Sequence, residues 1–131
     1  MEQKKIVLHY HDGTVGAGFS VPFADGTALL QVETLEGRTL EVALADLKAA
    51  FFVKTFSGNP DYERDAEMDG LREKARGRFV RVTFRDGEIL VGEVNREADL
   101  DRGFFLTVLD PNDNNVMVYV NPGFLQHPPE E

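Results

Sequence analysis

Apolar and polar residues alternate along this chain in two stretches of nearly identical form. Ile6, Leu8 and Tyr10 alternate with Val7, His9 and His11; Asp12-Gly13 interrupts, and a further stretch runs from Val15 to Val21. Later, Val80, Val82 and Phe84 alternate with Arg81, Thr83 and Arg85, Asp86-Gly87 interrupts, and Ile89 to Asn95 follows. A period of two marks strands with one buried face, and an Asp-Gly pair suits a tight hairpin turn that needs positive φ. Ile6 to Gly18 and Val80 to Gly92 match without a gap. After an insertion of about three residues the match is expected to resume with Gly26 on Gly103, Leu29 on Leu106, Val32 on Leu109, Leu40 on Met117 and Val42 on Tyr119.

The same periodicity predicts strands at Ala28 to Glu33, Thr39 to Ala43, Phe104 to Leu109 and Val116 to Val120, with short helical turns at Leu44 to Lys48 and near Pro122 to Leu125. Gly18 and Gly92 fall inside strands, where glycine marks a bulge or a sharp bend. Ala50 to Phe56 reads as a fifth strand ended by Ser57-Gly58. Asn59 as N-cap, Pro60 in the first turn and Gly77 as terminator predict a helix over Asp61 to Arg76. The chain therefore divides into a first β-unit (1–57), a linker helix (58–77) and a second β-unit (78–131). The units end unequally: the place held by Phe51 to Phe56 in the first is held by Pro128-Pro129-Glu130-Glu131 in the second, which predicts an uncovered edge and, from it, self-association as a homodimer.

Composition narrows the chemistry. With 131 residues, 42% of them hydrophobic and 28% charged, the chain is long enough for a compact core, and no apolar run reaches a membrane span of roughly 20 residues. The N-terminal Met1-Glu2-Gln3-Lys4-Lys5 leads into a strand pattern, so a cytoplasmic protein is expected. The absence of cysteine excludes disulfides, thiolate metal sites and a cysteine nucleophile. The formal charge of −9 divides into −2 over Met1 to Ser57 and −7 over Gly58 to Glu131, and such a chain repels phosphate backbones.

The order of strand, Asp-Gly turn, bent glycine-containing strand, two more strands and a short fifth resembles the Sm-like small barrels, in both copies. The stretch from Leu47 to Pro60, Leu-Lys-Ala-Ala-Phe-Phe-Val-Lys-Thr-Phe-Ser-Gly-Asn-Pro, with Phe84 to Glu88 and Gly103 to Leu106, is similar to an uncharacterised family of small bacterial proteins and domains that occur alone or beside signalling modules. The resemblance implies a mainly β fold of two tandem Sm-like barrels, made of strongly bent antiparallel strands and joined by a strand and one helix. It does not imply RNA binding. RNA-binding Sm proteins carry Asp, an aromatic and Asn in the third loop and Arg-Gly in the fifth, whereas the loops here read Ala24-Asp25-Gly26-Thr27 and Asn112 to Asn115.

Candidate chemistry is sparse. His9 and His11 share a strand face in a metal-ligand spacing, but His127 is the only other histidine, and solvent-facing strand residues are the default reading. Asp110-x-Asn112-x-Asn114 imitates the start of a calcium loop without its glycine or its terminal Glu, and Asp99-x-Asp101-x-Gly103 matches by spacing alone. Arg72-x-x-x-Arg76 before a β-unit resembles the PilZ cyclic-dinucleotide receptors, but the companion Asp/Asn-x-Ser-x-x-Gly motif is missing. Arg81 and Arg85 share an outer strand face and form a small anion-binding stripe or simply a solvated surface. No serine elbow or phosphate loop is present.

These features predict a protein without enzymatic activity and without a cofactor or metal, acting as a binding or scaffold module through an open sheet edge near Phe51, Phe52 and Val53. The alternative is a small-molecule or nucleotide sensor using Arg72, Arg76, Arg81 and Arg85. Because charge and loop motifs both oppose nucleic acid, filter binding to single-stranded RNA at about 150 mM salt is expected to show nothing tighter than the nonspecific range of about 10⁻⁴ to 10⁻⁶ M. Submicromolar, salt-resistant binding overturns that expectation.

Overall fold

Each Asp-Gly pair closes the hairpin that its chemistry predicts. In the computed structural model, which describes residues 3–21, 23, 27–58 and 69–131, β1 (Lys4–Tyr10) turns into β2 (Val15–Ser20), and β6 (Arg78–Thr83) turns into β7 (Ile89–Val94). The amide of Gly13 donates to the Tyr10 carbonyl at 3.1 Å, as that of Gly87 does to Phe84 at 2.9 Å. Both glycines have positive φ, 90° and 93°, where a side chain is strained.

The remaining strands are β3 (Leu29–Thr34), β4 (Thr39–Ala43), β5 (Leu47–Val53), β8 (Phe104–Thr107) and β9 (Asn115–Val120). Short 3₁₀ turns at Leu44–Asp46 and Pro122–Phe124 follow β4 and β9. Among the described residues the nine strands are antiparallel and belong to one sheet in the order β4-β3-β2-β1-β5-β9-β8-β7-β6, whose ends do not meet. Helix is confined, among the described residues, to one turn of α1 (Asp69–Arg72): the first half of the expected Asp61 to Arg76 helix lies outside them, and in the second half the helix ends at Arg72 rather than Arg76. No helix among the described residues is long and apolar enough to cross a membrane.

The two halves make corresponding pairings, with one change from the register expected above. Leu30 pairs with Val42 as Phe104 pairs with Val120, and Val32 with Leu40 as Leu106 with Val118. The extra residues of the second half therefore lie in its last hairpin, between β8 and β9, not before β8. That longer loop docks on the end of β5, where Asn114 accepts from the Thr55 amide at 3.2 Å and donates to its carbonyl at 2.9 Å.

Gly18 and Gly92 are not bulges. Their strands stay in register with β1 and β6 through both positions, and the shifts fall at His9/Tyr10 and Phe52/Val53 instead. Glycine is needed for close approach: a Cβ at Gly18 would overlap the carbonyl oxygen of Glu33, and one at Gly92 that of Thr107. β2 meets β3 only at Gly18 and Phe19, and β7 meets β8 only at Glu93, so neighbouring strands cross steeply and the sheet bends there.

β5 is the central strand, hydrogen-bonded to β1 on one edge and β9 on the other. Its alternate residues enter two cores. Ala50 and Phe52 pack with Ile6, Leu8, Leu30, Val32 and Val42, whereas Ala49 and Phe51 pack with Val80, Val82, Phe84, Phe104 and Val118. The expectation of an open edge at Phe51, Phe52 and Val53 is thus corrected: Phe51 and Phe52 are 4% and 5% exposed, because a strand apolar on both faces lies between two cores.

The uncovered edge expected of the second half is also corrected. Residues 124–130 return along β6: Arg81 and Glu130 exchange both backbone hydrogen bonds, at 2.7 and 2.9 Å, and Gln126 donates to the Thr83 carbonyl at 2.8 Å. The Arg78 guanidinium holds Glu131 at 2.7 Å. The prolines do not prevent this, since the ladder uses the amides of Gln126 and Glu130.

The contrast between the turn and strand glycines is measurable by urea unfolding. Gly87→Ala, strained but uncrowded, is expected to cost about 1–2 kcal/mol. Gly92→Ala, which forces backbone apart, is expected to cost about 2–3 kcal/mol. A neutral Gly92→Ala contradicts the close crossing of β7 and β8.

Candidate functional site

Three features are candidates for function: the joint between the halves, a cavity beside it, and the free edge of β4. The joint is pinned by a lysine inside an otherwise apolar strand. Lys48 of β5 is 5% exposed, and its Nζ donates to Asp86 Oδ2 and Glu88 Oε1, both at 2.6 Å, on the β6–β7 turn. The ammonium also lies 4.6 Å from the centroid of the Phe84 ring. Burial raises the Asp86 carboxyl, but the hydrogen bonds from Lys48 and the Glu88 amide and the lysine charge outweigh it and hold the group below its ordinary value.

Both candidate metal-binding histidines belong to the same joint. His9 packs on Phe51 with ring centroids 4.7 Å apart. Burial, then the charge of Lys48, lowers its pKa and favours the neutral ring, against opposing contributions from Glu88 and Asp86. His11 stacks on Phe124 at 5.2 Å, with Nε2 3.0 Å from the Leu47 carbonyl. Among the described residues no three His, Asp or Glu side chains converge on a point where a metal would sit. The calcium-like stretches are turns: Asp99, Asp110 and Asp113 each accept the amide two residues on.

An open cavity of about 1020 Å³ lies beside the joint. Phe23, Phe105 and Tyr119 cluster in its lining with centroids 5.1–5.4 Å apart, and Arg76, Arg96, Arg102, Glu93, Glu97 and Asp99 line it as well. Glu93 is committed to the backbone, accepting from the Arg76 and Gly77 amides at 2.7 and 2.8 Å.

The four arginines singled out from the sequence are not gathered in this cavity. Arg76 lines it. Arg72 stacks on Phe79 at 4.6 Å. Arg81 on β6 and Arg85 in the turn that follows it are both exposed, and their backbones bond the C-terminal segment. Sequence reasoning missed Lys48, Arg96, Arg102 and the three aromatics. The available signal was Lys48 itself, a lone charge inside a strand whose other residues are apolar.

The third feature is an edge. Among the described residues no strand pairs with the outer side of β4. Leu40 there points to the core face, paired with Val32, yet is 47% exposed; Val118, which pairs in the same way with Leu106, is fully buried because β5 covers β9.

Acid sensitivity follows from the joint. His9 has a lowered folded-state pKa, so its contribution to stability is present above the ordinary value of 6.5 and is lost as pH falls below it. Asp86, also lowered, holds its contribution above 3.8 and loses it as pH falls through the folded-state value. Urea unfolding between pH 7.5 and 3 (on the order of one pH unit per point) is expected to show stability declining from about pH 6.5. His9→Phe is expected to remove the upper part of that decline and Lys48→Met the lower part, with Lys48→Met costing about 1–3 kcal/mol at neutral pH. An unchanged profile in both variants contradicts these roles.

No curated protein and no solved structure matches this chain significantly. A family model matches residues 2–127, nearly the whole chain, and on that match the protein belongs to a family of unknown function, DUF6982.

Proposed function

We propose that this chain is a non-enzymatic binding or scaffold module, built from two tandem Sm-like β-units, that recognises protein partners through an open sheet edge in bacterial signalling. The supporting observation is the contrast between Leu40 and Val118. Equivalent pairings give these residues the same place in their halves, and one is sealed by a strand while the other waits at 47% exposure. An edge of this kind offers backbone donors and acceptors to an extended segment, with an apolar side chain beside them for anchorage. The C-terminal segment along β6 and the shared use of β5 support this reading, since among the described residues they leave β4 as the sheet edge with no strand beside it.

The cavity favours a second reading, a small-molecule or nucleotide sensor in which an aromatic ligand stacks on Phe23, Phe105 and Tyr119 and an anionic group meets Arg76, Arg96 or Arg102. Its equal complement of carboxylates weakens that attraction, and the edge reading is preferred.

One selection separates them. Peptides selected on the protein from a random display library are expected to weaken about tenfold or more with Leu40→Lys, roughly the loss of a central anchor, and to be indifferent to Phe105→Ala. Ligands that respond to Phe105→Ala alone overturn the edge reading in favour of the cavity.

A further inference from the structure

The molecule carries its own template for what sits on β4, because β5 lies on β9. In that ladder Ala49 is opposite Val120, Ala50 opposite Tyr119, Phe51 opposite Val118 and Phe52 opposite Met117. Pairing equivalence replaces Val120, Tyr119, Val118 and Met117 with Val42, Glu41, Leu40 and Thr39. A strand added to β4 in the same way sets a small residue against Val42 and a large apolar one against Leu40, both on the core side. Between them, on the outer side, one residue faces Glu41.

The outer side differs from the template in a way that specifies charge. At β9 it is covered, since Met117 and Tyr119 pack on the first core. At β4 it is solvated and acidic: Glu41 stands beside Gln31 and Glu33 faces Thr39, all four exposed, while Glu36 and Arg38 in the adjoining turn offset each other. We infer, resting on the edge reading above, that β4 accepts an antiparallel extended segment of another protein with the pattern small, basic, large apolar, polar. The basic residue faces Glu41 directly across the new ladder, with Glu33 one strand further in on the same face.

A second copy of this chain fits poorly. The in-register symmetric pair that overlaps all five residues of β4 sets Glu41 directly against Glu41, and like charges directly opposite are destabilising. The C-terminal segment of another copy is already bonded along its own β6 and carries Glu130 and Glu131, which an acidic edge repels. Every described residue of β5 from Leu47 to Val53 is already enclosed between its neighbours.

The test uses the full chain and two peptides copying residues 47–54. Both carry Phe52→Thr for solubility; one carries Ala50→Lys and the other Ala50→Glu. Titrations followed by backbone amide NMR are expected to move Thr39 to Ala43 and to give the lysine peptide an affinity about fivefold higher at low salt, a preference shrinking as the Debye length falls from about 30 to 10 Å. Glu41→Lys, at an exposed position, is expected to reverse the preference while leaving the rest of the spectrum in place. Equal affinities, both abolished by Leu40→Lys, overturn the basic-residue inference and keep the edge reading. No shift at Thr39 to Ala43 with either peptide at millimolar concentration overturns both. A Leu40-dependent doubling of the 14.7 kDa mass without peptide overturns the inference by assigning the edge to a second copy.

Discussion

Everything in this fold depends on one strand being used four ways. β5 gives one hydrogen-bonding edge to β1 and the other to β9, and gives one face to each of two cores. The demand is severe, because both faces must supply apolar residues to a core and both edges must carry a ladder. The run Leu47-Lys48-Ala49-Ala50-Phe51-Phe52-Val53 meets it with small residues at its middle, where Ala49 and Ala50 are fully buried, and large ones beyond. Small residues let backbone layers approach closely; the phenylalanines fill the wider space toward the end of the strand.

Sharing a strand also explains how the two halves hold together in a chain that has no cysteine for a disulfide. Each half alone presents little apolar area to a core, and small domains are marginal for that reason. Placing both cores against a common strand makes them mutually dependent: a residue lost from one face of β5 disturbs the ladder that supports the other. Lys48 adds orientation to this joint. Its alkyl stem lies within the buried strand while the ammonium reaches two carboxylates on the opposite hairpin, a geometry available in only one relative placement of the halves.

Local chemistry was legible in the sequence and long-range use was not. The hairpins at Asp12-Gly13 and Asp86-Gly87 could be read because a turn is decided by its own residues. The strands were read for the same reason, to within a few residues at their ends. The register across the halves was misread because alternation has a period of two, so an odd displacement exchanges inner and outer faces. Leu29, set beside Leu106, points outward while Leu106 is buried, and Met117, set beside Leu40, is apolar only because it packs on the other half's core. Apolar residues on an outer face carry no mark of which core they serve. The same ambiguity hid the place of β5, since a strand between two cores and an exposed hydrophobic edge are spelled alike. The cavity was illegible because its residues come from separate segments, Phe23 from the first half and Phe105, Tyr119 and the arginines from scattered positions of the second. His9 and His11 show the converse: their spacing was visible, but not that each would be occupied by an aromatic neighbour.

The two ends of the sheet solve the edge problem by different means, and the difference bears on function. At β6 the chain folds back and seals the ladder with its own backbone, with prolines at positions 128 and 129 and an Arg78–Glu131 ion pair fixing the end. Such an edge is closed to every partner. At β4 no covalent cover is present among the described residues, and protection comes from charge, Glu33 and Glu41 on the outer side. Charge is a conditional guard: it repels a copy carrying the same charge and attracts a strand carrying the opposite one. On the edge reading proposed above, a chain that seals one edge outright and, among the described residues, guards the other by charge retains a surface that discriminates among partners rather than one that excludes them all.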